Sequence, residues 1–172
     1  MERTELAKAI KDAAYLEGDF ILSSGRRSKY YLDKYLFSTK PAILREIARY
    51  MAQELPADFD CIAGIELGAI PLATALGLEC DKPFVFIRKE AKEYGTSKLF
   101  EGSLEKGQKI VLIEDVLTTA GQAINAAQRL KDFGVDVVKV IYVIDREEGA
   151  TENLANAGLD AVPLFRKSDL GL

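Results

Sequence analysis

Apolar positions along this chain follow two rhythms. Between residues 2 and 16 they recur at helical spacing, with Leu6, Ala9, Ile10, Ala13 and Ala14 on one face and Gly18 as the expected stop. Residues 20–33 read as two short strands joined by a Ser/Gly turn. Pro41 suits the first turn of a helix reaching about Leu55, whose apolar face is Ile43, Leu44, Ile47, Ala48 and Met51. A strand–helix beat then sets in. Residues 61–64, 83–87, 109–113, 137–144 and 161–165 are apolar runs, and between them 71–76, 122–133 and 149–157 have helical character, the middle one closed by Gly134. Strands without polar alternation are buried on both faces, so the pattern predicts an α/β fold with a mostly parallel central sheet flanked by helices. The crossovers are expected to be right-handed, with 161–165 as an edge strand. No internal repeat, low-complexity tract or domain boundary interrupts the 172 residues, which read as a single domain, 1–172.

Composition narrows the chemistry. The chain is 48% hydrophobic and 29% charged, which excludes wholesale disorder. No apolar run approaches the roughly 18 residues of a membrane span. The opening Met1-Glu2-Arg3-Thr4-Glu5 lacks a signal-peptide pattern, so a cytoplasmic protein without a membrane partner is expected. Two cysteines, Cys61 and Cys80, cannot build a disulfide framework or a thiolate metal site. There is no histidine, which removes Ser-His-Asp triads, His-Cys dyads and imidazole acid–base catalysis. Any chemistry must use carboxylates, lysines, arginines, hydroxyls and backbone N–H groups, with or without a hard metal. A net charge of -4 argues against a general nucleic-acid binder, yet leaves room for a local cationic pocket.

Two segments stand apart. Residues 88–107 form a connection longer than most, rich in Lys and Glu, and read either as a lid or as a charged solvated excursion. In 110–122 an apolar strand ends in Glu114 and Asp115, and Val116, Leu117, Thr118, Thr119, Ala120, Gly121 and Gln122 lead into a helix. A helix N-terminus offers unsatisfied N–H groups to an anion, Thr118 and Thr119 add hydroxyl donors, and ligands of open α/β sheets sit beyond the strand ends. A bare phosphate would avoid the acids. A phosphorylated sugar would use them for its hydroxyls. The plainer reading is a pair of strand-end surface acids capping the helix. The segment carries neither the P-loop lysine nor GxGxxG.

The stretch 111–123 resembles the phosphoribosyl-diphosphate (PRPP) signature of type I phosphoribosyltransferases, and specifically of the orotate phosphoribosyltransferase family. Four further segments are similar in the family's order: 20–33, 64–73, 88–95 and 145–150. The resemblance implies the type I fold, with a small N-terminal hood formed mainly by residues 1–35 plus the C-terminal segment. It also implies transfer of phosphoribose from PRPP to orotate, with Mg²⁺ bound mainly through PRPP and no direct protein ligand. On that likeness Glu114 and Asp115 would hold the ribose hydroxyls, and residues 116–122 would wrap the 5'-phosphate. Thr118 and Arg146 would meet orotate. Glu66, Leu67, Gly68 and Ala69 would line the diphosphate, and Arg88, Lys89 and Lys92 would bind its oxygens. Lys89, Lys92, Tyr94 and Asp115 are the implied catalytic set. A homodimer sharing loop 88–102 across its interface is also implied.

The chain departs from the pattern at several places. Tyr94 stands where many relatives have histidine, and with a reference pKa near 10 it is expected to position rather than carry protons. Ser23 and Gly68 replace lysines found in some relatives, which shifts the expected cationic load to the 88–102 loop. Ala120 replaces a common glycine, and its methyl group is expected to require a negative φ. Arg146 could instead be a surface ion-pair partner of Glu147 or Glu148. A phosphoribosyltransferase for another base, a PRPP-sensing regulator and an inactive paralogue remain as alternative functions.

Overall fold

A computed structural model describes residues 1–21, 25, 27–89 and 99–172. Helix α1 (Arg3–Ala14) opens with the Glu5 carboxylate accepting from the Glu2 N–H at 2.9 Å. It ends at Ala14 as Tyr15 turns extended. Gly18 is therefore not its stop: it lies inside β1 (Tyr15–Ile21), which pairs antiparallel with β2 (Arg27–Leu32). One short helix that the sequence pattern does not mark follows β2: α2 (Lys34–Ser38) begins at Asp33, whose carboxylate accepts from the Tyr35 N–H at 3.0 Å. Helix α3 (Pro41–Gln53) starts at Pro41 as the sequence suggests.

The second sheet has six strands. In chain order they are β3 (Cys61–Ile65), β4 (Phe84–Ile87), β5 (Phe100–Glu101), β6 (Lys109–Leu117), β7 (Asp136–Asp145) and β8 (Ala161–Arg166). Across the sheet the order is β5-β4-β3-β6-β7-β8, parallel except for β5. Helices α4 (Ala69–Cys80), α5 (Gly121–Phe133) and α6 (Ala150–Asn156) connect them, and a 3₁₀ turn, Lys167–Leu170, follows β8. Gly134 closes α5 at φ +105, donating to Leu130 O at 3.2 Å.

Strand alternation splits the core into two layers. Ile62, Val111, Ile113, Ile141 and Val143 face Leu6, Ile10, Phe37, Ile47, Leu72 and Leu76, from α1 to α4. Ala63, Ile110, Leu112, Val140 and Tyr142 face Ala123, Ala126, Leu130 and Leu154, from α5 and α6. With helices on both faces, every central strand must be apolar on both sides, hence the uninterrupted runs. The result is the mostly parallel, helix-flanked sheet expected, with the β1–β2 pair beside it. Its edges are β5, only two residues long, and β8, which carries Pro163 opposite Tyr142.

The main correction concerns β6. It does not stop at Ile113 but runs through both acids to Leu117, and its ladder with β7 continues at Glu114↔Tyr142 and Val116↔Ile144. The acids are part of the sheet, and the loop shrinks to Thr118, Thr119 and Ala120.

Candidate active site

The C-terminal ends of β3 and β6 open onto a cleft of about 550 Å³. Its lining brings together Glu66, Leu67 and Gly68, Lys89, and the whole of 114–122. Residues distant in sequence and expected to share one ligand thus share one cavity. Lys34, Tyr35 and Asn125 also line it; nothing local in the sequence marked them. Ala69 begins α4 and is fully buried behind the lining. Lys92 and Tyr94 lie outside the described residues, as does Ser23.

Glu114 and Asp115 are 6% and 2% exposed, which overturns the picture of surface acids at a strand end. Burial first, then the charge of Asp115, pushes the Glu114 carboxyl up to about 8. Asp115 Oδ1 accepts from the Val116 N–H at 2.6 Å, and the Lys34 ammonium stands 2.9 Å from its Oδ2. Gly68 closes over the same oxygen. A Cβ there would fall on Asp115 Oδ2, 2.7 Å from its Cγ and 3.3 Å from Lys34 Cε. Position 68 has to be glycine for this packing to exist.

The turn after β6 is built the opposite way. Among the described residues no acceptor receives the N–H groups of 118–122, and Thr118, Thr119, Gly121 and Gln122 are exposed. They surround the N-terminus of α5, whose first helical bond runs from Ile124 N to Ala120 O at 3.0 Å. From α6, Asn153 Nδ2 donates to Thr119 O at 3.0 Å and braces the turn from behind. Ala120 has φ +64, not the negative value expected. The left-handed backbone is held at the α5 N-cap, where the small methyl is buried against the α5 layer.

Opposite the turn, the Lys89 N–H donates to Glu66 Oε1 at 2.7 Å, and Lys89 O accepts from Arg129 Nη1 at 2.9 Å. Lys89 is thereby held at the mouth of the cleft. Arg88 does not line it; its guanidinium is 3.5 Å from Glu101. Arg146 follows β7, with its N–H donating to Leu117 O at 2.9 Å. It also stands apart from the cleft lining, 3.3 Å from Glu148 and 6.0 Å from the centre of the Tyr30 ring. Both expectations for Arg146 thus keep a footing, an ion pair with Glu148 and a place at the strand ends. Its loop is anchored by Asp145, which accepts from Tyr142, Thr151 and the Glu147 N–H at 3.1, 2.7 and 2.7 Å.

A family model for the phosphoribosyl transferase domain matches residues 37–157. The orotate phosphoribosyltransferase of Pyrococcus abyssi is 47% identical over 172 residues, 98% of this chain and 94% of its own length. The chain belongs to the orotate phosphoribosyltransferase family. Among solved structures of this family, that of the Mycobacterium tuberculosis orotate phosphoribosyltransferase in complex with Fe(III) dicitrate superposes with a TM-score of 0.89 at 35% identity, covering 99% of both chains. The same Mycobacterium tuberculosis protein in complex with PRPP superposes at 0.85 with 32% identity, again over 99% of both chains. The type I phosphoribosyltransferase fold and transferase class follow for this chain.

Proposed function

We infer that this chain transfers the 5-phosphoribosyl group of PRPP to N1 of orotate, giving orotidine 5'-monophosphate and diphosphate in pyrimidine synthesis. The observation that carries the reading is one cleft holding a buried acid pair beside a turn of unengaged N–H groups. That combination suits a ribose bearing a phosphate. Family membership supports orotate as the acceptor, and we propose Arg146 and Thr118 as the groups that meet it. Arg146 supplies a planar cation suited to the base's carboxylate.

In this reading residues 118–122 receive the 5'-phosphate through backbone N–H groups, threonine hydroxyls and the α5 N-terminus. Glu114 and Asp115 accept from the ribose 2' and 3' hydroxyls and face the positive charge that grows on the sugar ring. The C1'–O bond to diphosphate breaks with its electron pair leaving on oxygen, and N1 of orotate forms the new bond to C1' from the opposite side. Glu66, Leu67 and Gly68 border the departing diphosphate, with Ala69 packed behind them. Lys89 and Lys92 compensate its charge, joined by Arg88 once it turns from Glu101, and Tyr94 positions it by hydrogen bonding. Alignment and charge placement provide most of the rate, since no covalent intermediate is required.

Among the described residues no cluster of three acidic, thiol or imidazole groups is placed to cage a metal. The donors present, two carboxylates beside a phosphate turn, suit Mg²⁺ held mainly by PRPP oxygens, with Asp115 and Glu114 near it. When bound, that ion neutralises charge on the diphosphate. The proposal extends to one catalytic domain spanning 1–172 and to a cytoplasmic homodimer sharing loop 88–102. No helix among the described residues is long and apolar enough to cross a membrane.

The test is consumption of orotate, followed by absorbance with PRPP and Mg²⁺, against uracil and purine bases. Turnover with orotate alone is expected. Arg146→Ala should lower kcat/KM for orotate by about 100-fold, the scale of a lost charge-assisted bidentate contact, while KM for PRPP stays within about twofold. Turnover of uracil or a purine in place of orotate would reassign the base. PRPP binding without release of diphosphate from any base would mark a regulator.

A further inference from the structure

Lys34 is a charged residue of the cleft that none of the roles above uses. It comes from α2, at the edge of the β1–β2 pair, yet its ammonium ends 2.9 Å from Asp115 Oδ2. Tyr35 supports it, with Nζ 5.6 Å from that ring's centre. Its Cε would stand 3.3 Å from a Cβ placed on Gly68, so the lysine reaches the diphosphate-side loop as well as the acid. Asp115 Oδ2 is sealed from solvent and accepts no well-aligned hydrogen bond among the described residues. A ribose hydroxyl can therefore reach that oxygen only if the ammonium moves aside.

The direction of that move is set by charge. Burial disfavours the Lys34 ammonium, but the adjacent charge of Asp115, with help from Tyr35 and Glu114, holds its pKa above the ordinary lysine value. It stays a cation next to the place where a polyanion enters. An exposed ion pair would contribute little here, but Asp115 is buried, so its counter-ion is not free to leave without another anion to meet.

Resting on the PRPP reading of the cleft, we propose that Lys34 is a substrate-binding residue: it covers Asp115 in the free protein and passes to a diphosphate oxygen of PRPP when the ribose hydroxyls take its place. The cation absent from position 68 is supplied from α2, in addition to those assigned to the 88–102 loop. Asp115 and Lys34 thus exchange partners in one step, and the acid pair is uncovered only when a diphosphate is present to receive the ammonium.

The experiment is calorimetric titration of PRPP, and separately of ribose 5-phosphate, into the wild-type protein, Lys34→Met, Lys34→Gln and Lys34→Arg, with thermal midpoints recorded alongside. Lys34→Met and Lys34→Gln should weaken PRPP by about tenfold or more, ribose 5-phosphate should bind within about twofold of wild type, and Lys34→Arg should recover most of the PRPP affinity. Unchanged PRPP affinity in either neutral variant overturns the proposal, whatever happens to the thermal midpoint. Equal losses for PRPP and ribose 5-phosphate overturn it as well, since the diphosphate would then not be the partner. These titrations need no turnover, so a wild type that binds PRPP but consumes no orotate would refute the orotate reading and leave the Lys34 result to stand or fall alone.

Discussion

The acids of β6 and the N–H groups just after them are neighbours in sequence and opposites in condition. Glu114 and Asp115 are buried, and Asp115 is gripped by Val116, Lys34 and Gly68 before any ligand arrives. The N–H groups of 118–122 have no acceptor among the described residues, and Thr118, Thr119, Gly121 and Gln122 are exposed. The difference follows from what each costs to leave alone. An exposed N–H is served by water, whereas a buried carboxylate must be partnered or protonated. The protein therefore assembles the acid side itself and leaves the anion side open.

The largest effect should come from disturbing the assembled side. Gly68→Ala puts a methyl where Asp115 Oδ2 sits and moves the carboxylate. Because Gly68 has φ -69, the backbone itself is not strained by alanine. Steady-state kinetics should show kcat/KM for PRPP reduced by about 100-fold or more, on the scale of losing one transition-state contact, with the fold retained. Near-normal kinetics would mean that Asp115 is not held as tightly as its packing implies.

A second variant sharpens the comparison through pH. Glu114 has a folded pKa of about 8 against an ordinary 4.5. A raised folded pKa gives stability that is complete below the unfolded value and lost as pH climbs through the folded one. Thermal midpoints of the free protein should thus fall between about pH 5 and 9. Glu114→Gln, which cannot ionise, should flatten that fall. Parallel curves for the two proteins would remove the buried charge from the explanation.

The smallest effect should come from the open side. Asn153→Ala removes the brace on Thr119 O. The turn keeps its N–H groups but loses one support, so KM for PRPP should rise about threefold to fivefold with kcat little changed, the loss of one ordinary hydrogen bond. A 100-fold loss would show that the turn is as pre-set as the acids.

Much of this architecture is written in local pattern. Strands covered on both faces leave uninterrupted apolar runs, which is why β3, β4, β6, β7 and β8 stand out, and Gly134 marks the end of α5. The acids mislead because charge is the usual signal of a strand's end, while here the ladder with β7 carries the backbone onward through Glu114 and Val116. Gly18 misleads for the converse reason, a helix-breaking residue sitting in a strand of the exposed β1–β2 pair. Ala120 adopts φ +64 at the α5 N-cap against its own preference, which no local pattern marks. The turn and the acid pair were legible as a unit because they are contiguous. Lys34, Tyr35, Asn125 and Asn153 were not, since each reaches the site through folding alone and leaves no spacing to read.

The sheet's borders bear on assembly. One border strand has two residues, and the other carries a proline with no N–H to offer an incoming chain. Both borders of the six-stranded sheet thus disfavour its extension by an incoming strand.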